Sequence, residues 1–299
     1  MQPNPVLKNL GFSADDRVVI IHTDDIGMCQ ASVDAFADLA EFGLISSGAV
    51  MVPCPWFLEA AAYAREHPGA DLGVHLTLTS EYERYRWAPL STRDPASGLL
   101  DEGGFFHKAT PDVWAKADPE AAIVELETQI SRALGEGMNL THIDTHMGSI
   151  AHPAIIPGYI QLAIKYGLPP MIPRLSADEL MGVGNVDQAT AQMIREMVNT
   201  LEEMGMPLLD GLTALQLVDP EDRFEQAKRA LSALKPGLTH FIIHPAKDTP
   251  ELRQIMPTWA CRVADYETFM SEATREFIRD EGIQVIGYQA LKDLMPNSL

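Results

Sequence analysis

Apolar, β-branched runs alternate with segments of helical period along nearly the whole chain, the pattern of repeated βα units. The run Val18 to Thr23 predicts a first strand, which passes two carboxylates and leads into an amphipathic segment from Ala31 to Phe42. There Val33, Phe36 and Leu39 recur at near-helical spacing and Gly43 supplies a stop. Further strands are expected over 44–52, 71–79, 139–146, 171–175, 208–215, 239–244 and 284–288. Helices are expected at 119–135, behind an Asp118 N-cap with Pro119 at the first position, and near 189–204, 224–234 and 266–280. Seven or eight such units predict an α/β fold of the (β/α) barrel type, as one catalytic domain over residues 1–299. Residues 80–117 break the rhythm with Tyr82, Tyr85, Trp87, Phe105 and Phe106 among several Pro and Gly. They predict a long loop or small insertion whose aromatics are candidates for stacking on sugar rings.

Composition narrows the class. With 46% hydrophobic and 21% charged residues the chain reads as globular. No apolar run approaches the roughly 20 residues that span a bilayer. A formal net charge of -20 argues against nucleic acid as a partner, because phosphates must be met by Lys and Arg. A neutral substrate or a metal ion fits better. Cys29, Cys54 and Cys261 have no CxxC spacing and read as small buried thiols. The start Met1-Gln2-Pro3-Asn4-Pro5 lacks the basic residues and apolar core of a secretory signal, so a cytoplasmic location is the expectation.

The chemistry gathers at strand ends. Asp24 and Asp25 are adjacent carboxylates at the end of an apolar strand, where they repel and are costly to desolvate. A bound cation would compensate them; a helix N-cap is the alternative use. In Leu140-Thr141-His142-Ile143-Asp144-Thr145-His146, the period of two sends His142, Asp144 and His146 to one face of a strand. His75 and His244 each sit on an apolar strand and, taken singly, read more readily as core histidines than as ligands. His67, His107 and His152 lie in loop-like or helix-end contexts and read as surface residues. In a βα barrel the C-terminal strand ends carry the active site, and Asp24, Asp25, His75, His146 and His244 all fall at or near such ends.

Four motifs in this order, Thr23-Asp24-Asp25-Ile26-Gly27, Gly73-Val74-His75-Leu76, Thr141-His142-Ile143-Asp144-Thr145-His146 and Ile243-His244-Pro245, resemble the YdjC/ChbG carbohydrate deacetylases, a group that includes hopanoid-precursor deacetylases. The segments 262–267 and 282–288 are similar to the family's closing helix and strand, so the resemblance spans essentially the whole chain. It implies a barrel related to polysaccharide deacetylases and one divalent metal ion, Zn²⁺ or Mg²⁺, held by Asp25, His75 and His146. It also implies Asp24 as general base, His244 as general acid or oxyanion partner, and Arg174 as an arginine that orients the base. The substrate it implies is a small acetylated carbohydrate, and the assembly a homodimer. Two departures stand out: Met147-Gly148 follows His146 where many relatives carry further histidines, and His22 stands where many have Asn.

The residues agree with that chemistry, since two imidazoles and a carboxylate leave coordination positions for water and substrate. Asp144 and His142 are candidates for orienting the ligating imidazoles. Two other readings compete. One is a different metal-dependent hydrolase or isomerase on the same barrel, although no basic or Gly-rich phosphate cradle is visible. The other is a carbohydrate-binding protein without turnover.

Overall fold

Almost every residue of β1 (Arg17–Ile26) is buried, so both faces of this strand are covered by protein. It is the central strand of the computed structural model, which describes residues 3–176, 178, 179, 181 and 188–296. The other strands are β2 (Ser47–Val50), β3 (Leu72–Leu76), β4 (Leu140–Thr145), β5 (Gly211–Ala214), β6 (Gly237–Ile243) and β7 (Gln284–Val285). All ladders are parallel, in the order β4-β3-β2-β1-β6-β5, with β7 added on β1.

The strand expected over 171–175 is reduced to single bridges, Ile143 with Pro170 and Pro173 with Leu209. Those bridges link β4 to the approach of β5, and so join the two edges of the ladder. Proline lacks the N–H that a continuous ladder needs, and three prolines fall between 169 and 173.

Helices 30–42, 57–66, 119–135, 156–166, 188–203 and 223–232 connect successive strands. Asp118 caps the third by accepting from the Glu120 and Ala121 N–H groups, and Gly43 ends the first in the left-handed region at φ 75°. The single helix expected over 266–280 is instead two, 259–269 and 272–280. Ser271 breaks them by capping the second through the Ala273 N–H. None of the described helices is long and apolar enough to cross a membrane.

The interior of the ring is layered. Val18 and Ile20 pack with Val6, Leu7, Leu209, Leu238, Tyr288 and Leu291 as an apolar floor. Above it, at the next interior positions, come His22, His142 and His240, all fully buried. Asp24, Asp144 and His75 follow toward the C-terminal strand ends. Gly73 is required here, because a Cβ on it would lie 2.5 Å from the His142 ring and 2.6 Å from the His142 carbonyl. The odd-numbered β1 residues Val19 and Ile21 face outward into the main core under the helices.

The 80–117 segment is ordered by its own packing. Trp87 is buried and donates its indole N–H to the Thr79 carbonyl, Phe106 is fully buried, and Glu125 accepts the Leu90 and Ser91 N–H groups. Trp87 and Phe106 are therefore not available to stack on a sugar. His107, read as a surface residue, is buried and bonds through Nε2 to the Gly98 carbonyl, 3.0 Å away. The three cysteines are buried thiols, as expected.

Candidate metal centre

Successive residues on a strand point to opposite faces, so two neighbouring carboxylates should not share a site. Here they do, because Asp25 takes the left-handed conformation at φ 64° and the β1–β2 register shifts between Thr23 and Ile26. Asp is among the few residues that tolerate this region, and strain of this kind gathers at functional sites. Both carboxylates consequently line a cleft of about 380 Å³ together with His75, Glu81, Tyr82, His146, Met147, Leu217, His244, Pro257, Thr258 and Arg262. A larger cavity, about 670 Å³, lies at the other end of the barrel beside Asn4, Asp210 and Gly237, and no histidine among the described residues lines it.

Asp25 Oδ1 is the focus of the cleft. It lies 3.1 Å from His146 Nδ1 and 3.4 Å from His75 Nε2, yet it is buried with no hydrogen-bond partner among the described residues. Two metal bonds of about 2.0–2.1 Å at a tetrahedral angle set donor atoms roughly 3.3 Å apart. The three donors thus fit one divalent ion. Each imidazole is fixed from behind: His75 Nδ1 meets Asp144 Oδ1 at 2.8 Å, and His146 Nε2 meets Glu81 Oε2 at 3.0 Å. The other oxygen of Asp25 takes Arg262 Nη2 at 2.7 Å.

Burial works against charge on these groups, and their neighbours reverse it. For Asp25, burial raises the pKa but Arg262 and His146 hold it well below the usual carboxylate range. Burial lowers His75 while Asp144 and Asp24 lift it well above the ordinary value. His146 is pushed up to about 9, with burial opposing and Glu81 and Asp25 prevailing. Surroundings that hold protons this firmly would also hold a cation.

Asp24 is placed differently. Its Oδ1 is engaged by His22 Nδ1 at 2.8 Å, while Oδ2 faces the cleft, 3.6 Å from His75 Nε2 and 3.9 Å from His244 Nε2. Burial raises its pKa, but His75, His22 and His244 hold it below the usual carboxylate range. His244 is lowered by burial, which keeps the ring neutral, and its backbone N–H donates to Asp265 Oδ2 at 2.9 Å.

Five of the six site residues expected from sequence meet here: Asp24, Asp25, His75, His146 and His244. Arg174 does not join them. It is absent from the cleft lining, and its guanidinium pairs with Glu202 at 2.6 Å and Asp210 at 2.8 Å. The arginine in the cleft is Arg262, which reaches it from the helix 259–269. The role of Glu81 was also missed in the sequence, as were those of His22 and His240. The last two carry a readable signal, since each occupies an inward position of an otherwise apolar strand at the period of two that leads to a site residue.

The model of the YdjC-like protein family matches residues 18–280. A carbohydrate deacetylase of Thermus thermophilus is 34% identical over 261 residues, covering 87% of this chain and 89% of the relative. One of Thermoanaerobacter pseudethanolicus is 25% identical over 276 residues, covering 92% and 100%. In fold, the chain is similar to a solved Enterococcus faecalis V583 structure, with a TM-score of 0.75 at 23% identity, covering 92% of this chain and 99% of that one. The chain belongs to the YdjC-like family.

Proposed function

We propose that this protein is a metal-dependent deacetylase that hydrolyses an N-acetyl group on a carbohydrate. The observation that carries the reading is Asp25 Oδ1, buried without a hydrogen-bond partner between two imidazole nitrogens at 3.1 and 3.4 Å. Asp25, His75 and His146 hold the ion. Their two nitrogens and one oxygen favour Zn²⁺, since Mg²⁺ prefers oxygen donors throughout. When bound, the ion supplies a Lewis acid that polarises the acetyl carbonyl and acidifies water.

The remaining steps belong to the chain. Asp24 Oδ2 removes a proton from the attacking water as its oxygen bonds to the carbonyl carbon. His244, kept neutral by burial, offers an N–H to the oxygen on which charge develops. The C–N bond then breaks, the amine takes the proton from Asp24, and acetate leaves. The names of the Thermus and Thermoanaerobacter relatives support a carbohydrate as substrate.

The test is acetate release from a panel of N-acetylated sugars and short oligomers, with metal analysis of the purified protein. Asp24→Asn should keep its metal and lose at least about a hundredfold in rate. His75→Ala should be purified with little metal. Full activity of both variants on a substrate the parent cleaves would overturn the assignment.

A further inference from the structure

His22 lies outside the cleft lining, and among the described residues five polar groups face it: Asp24, Asp144, His142, His240 and Tyr288. The hydrogens of this buried cluster follow from its end points. Asp71 accepts from Ser47 Oγ at 2.8 Å, from Thr141 Oγ1 at 2.6 Å and from the Gln289 N–H at 2.7 Å. A threonine hydroxyl has one hydrogen, so Thr141 Oγ1, having given it to Asp71, can only accept from His142 Nδ1 at 3.0 Å. His142 then carries its proton on Nδ1 and presents a bare Nε2. That atom lies 2.8 Å from His22 Nε2, which must donate. The other nitrogen, Nδ1, faces Asp24 Oδ1 at 2.8 Å and donates as well.

We infer that His22 is a positioning residue for Asp24, fixed as a donor from both ring nitrogens by the buried chain Asp71–Thr141–His142. The inference rests on Asp24 as the base. By occupying Oδ1 with a charge-assisted bond, His22 leaves Oδ2 as the oxygen turned to the cleft and holds the carboxylate in one rotamer. A neutral His22 with a single N–H could donate to only one of its two neighbours. The relay thus extends the site through the polar layer of the barrel to Asp71, at the opposite end of the strands. Burial together with His22 pushes His142 well below the ordinary histidine range, consistent with a neutral ring there.

Two measurements on the full-length, metal-loaded protein test this. Nitrogen NMR of ¹⁵N-histidine-labelled protein at neutral pH, assigned by the signal lost in His22→Gln, should show a proton on both His22 nitrogens. A single protonated nitrogen overturns the inference, and this readout needs no substrate. In kinetics, His142→Leu removes the acceptor of the His22 proton and should lower kcat about tenfold or more while KM and metal content stay at parent values. His142→Gln, which restores an acceptor oxygen, should recover most of the loss. A His142→Leu enzyme with parental kcat overturns the inference even where Asp24→Asn is inactive. Conversely, an active Asp24→Asn variant removes the functional reading while leaving the protonation of His22 to the NMR result. Should His142→Leu fail to fold, the NMR result on the parent decides.

Discussion

At the scale of single residues, the decisive contact is between Asp25 and two histidines that would rather be protonated than neutral. An imidazole ligates only as the neutral ring, so an entering ion displaces a proton. His75 is lifted well above the ordinary value and His146 is pushed up to about 9, so protons on both rings compete with the metal through the neutral range. Zn²⁺ affinity is expected to climb as pH rises from about 6 toward about 9. Competition with a chromophoric chelator across that range checks it; a flat or falling profile would contradict the ligand set. The adjacent carboxylates of the sequence thus divide by conformation. One turns its oxygens to His75, His146 and Arg262, the other to His22 and the cleft. Their identity was legible in the motif, whereas the turn at φ 64° that brings them to one side was not, because nothing in Thr23-Asp24-Asp25-Ile26-Gly27 distinguishes it from a helix cap.

At the scale of elements, strands with both faces buried were the easiest to read. β1, β3 and β6 are largely apolar runs with their histidines at inward positions, whereas β4 sets Thr141 and Thr145 opposite its inward His142 and Asp144. The strand expected over 171–175 fails because prolines break it, and that over 208–215 shortens to a half-exposed β5 without a full apolar signature. The closing helix was misread as one because its periodicity runs through Met270 and Ser271. The split it conceals matters, since the helix 259–269 carries both Arg262 and Asp265 to the site. Helix-borne groups so far along the chain from β1 give no local signal of where they will land. The fit between β3 and β4 yields a prediction at this scale. Gly73→Ala would force its Cβ against the ring and carbonyl of His142, whose ring is held by the buried chain. We expect a loss of about 1–3 kcal/mol in urea unfolding together with lowered activity, whereas Gly69→Ala, with open space around it, should change stability little.

At the scale of the whole molecule, the site depends on a scaffold that ties distant parts of the ring together. Arg223, at the start of the helix after β5, bonds through Nε to Asp265 Oδ1 at 2.6 Å, and both side chains are buried. The same Asp265 receives the His244 N–H, so one carboxylate joins the helix after β5 to the residue that follows β6. Removing the arginine leaves a buried charge unpaired. Arg223→Met is expected to cost about 3–5 kcal/mol in equilibrium unfolding and to reduce turnover by shifting His244. Stability and rate equal to the parent would show that Asp265 is held without it. The barrel class was legible because the alternation of strands and helices is global. These cross-links were not, because each joins residues that only the closed ring makes neighbours.

The pairing of β7 with the first residues of β1 has a bearing on the order of assembly. Val18 and Val19 are made early, yet their partners Gln284 and Val285 emerge only after nearly all the rest of the barrel. Behind those two residues Tyr288 stacks on His142 and bonds to His240. Until that segment docks, the growing ring keeps an open seam at its floor and water on its histidine layer. Drying of the polar core, and with it the setting of the protons behind Asp24, is therefore a late event in the life of the nascent chain, completed by the part of the protein farthest in sequence from the carboxylates it serves.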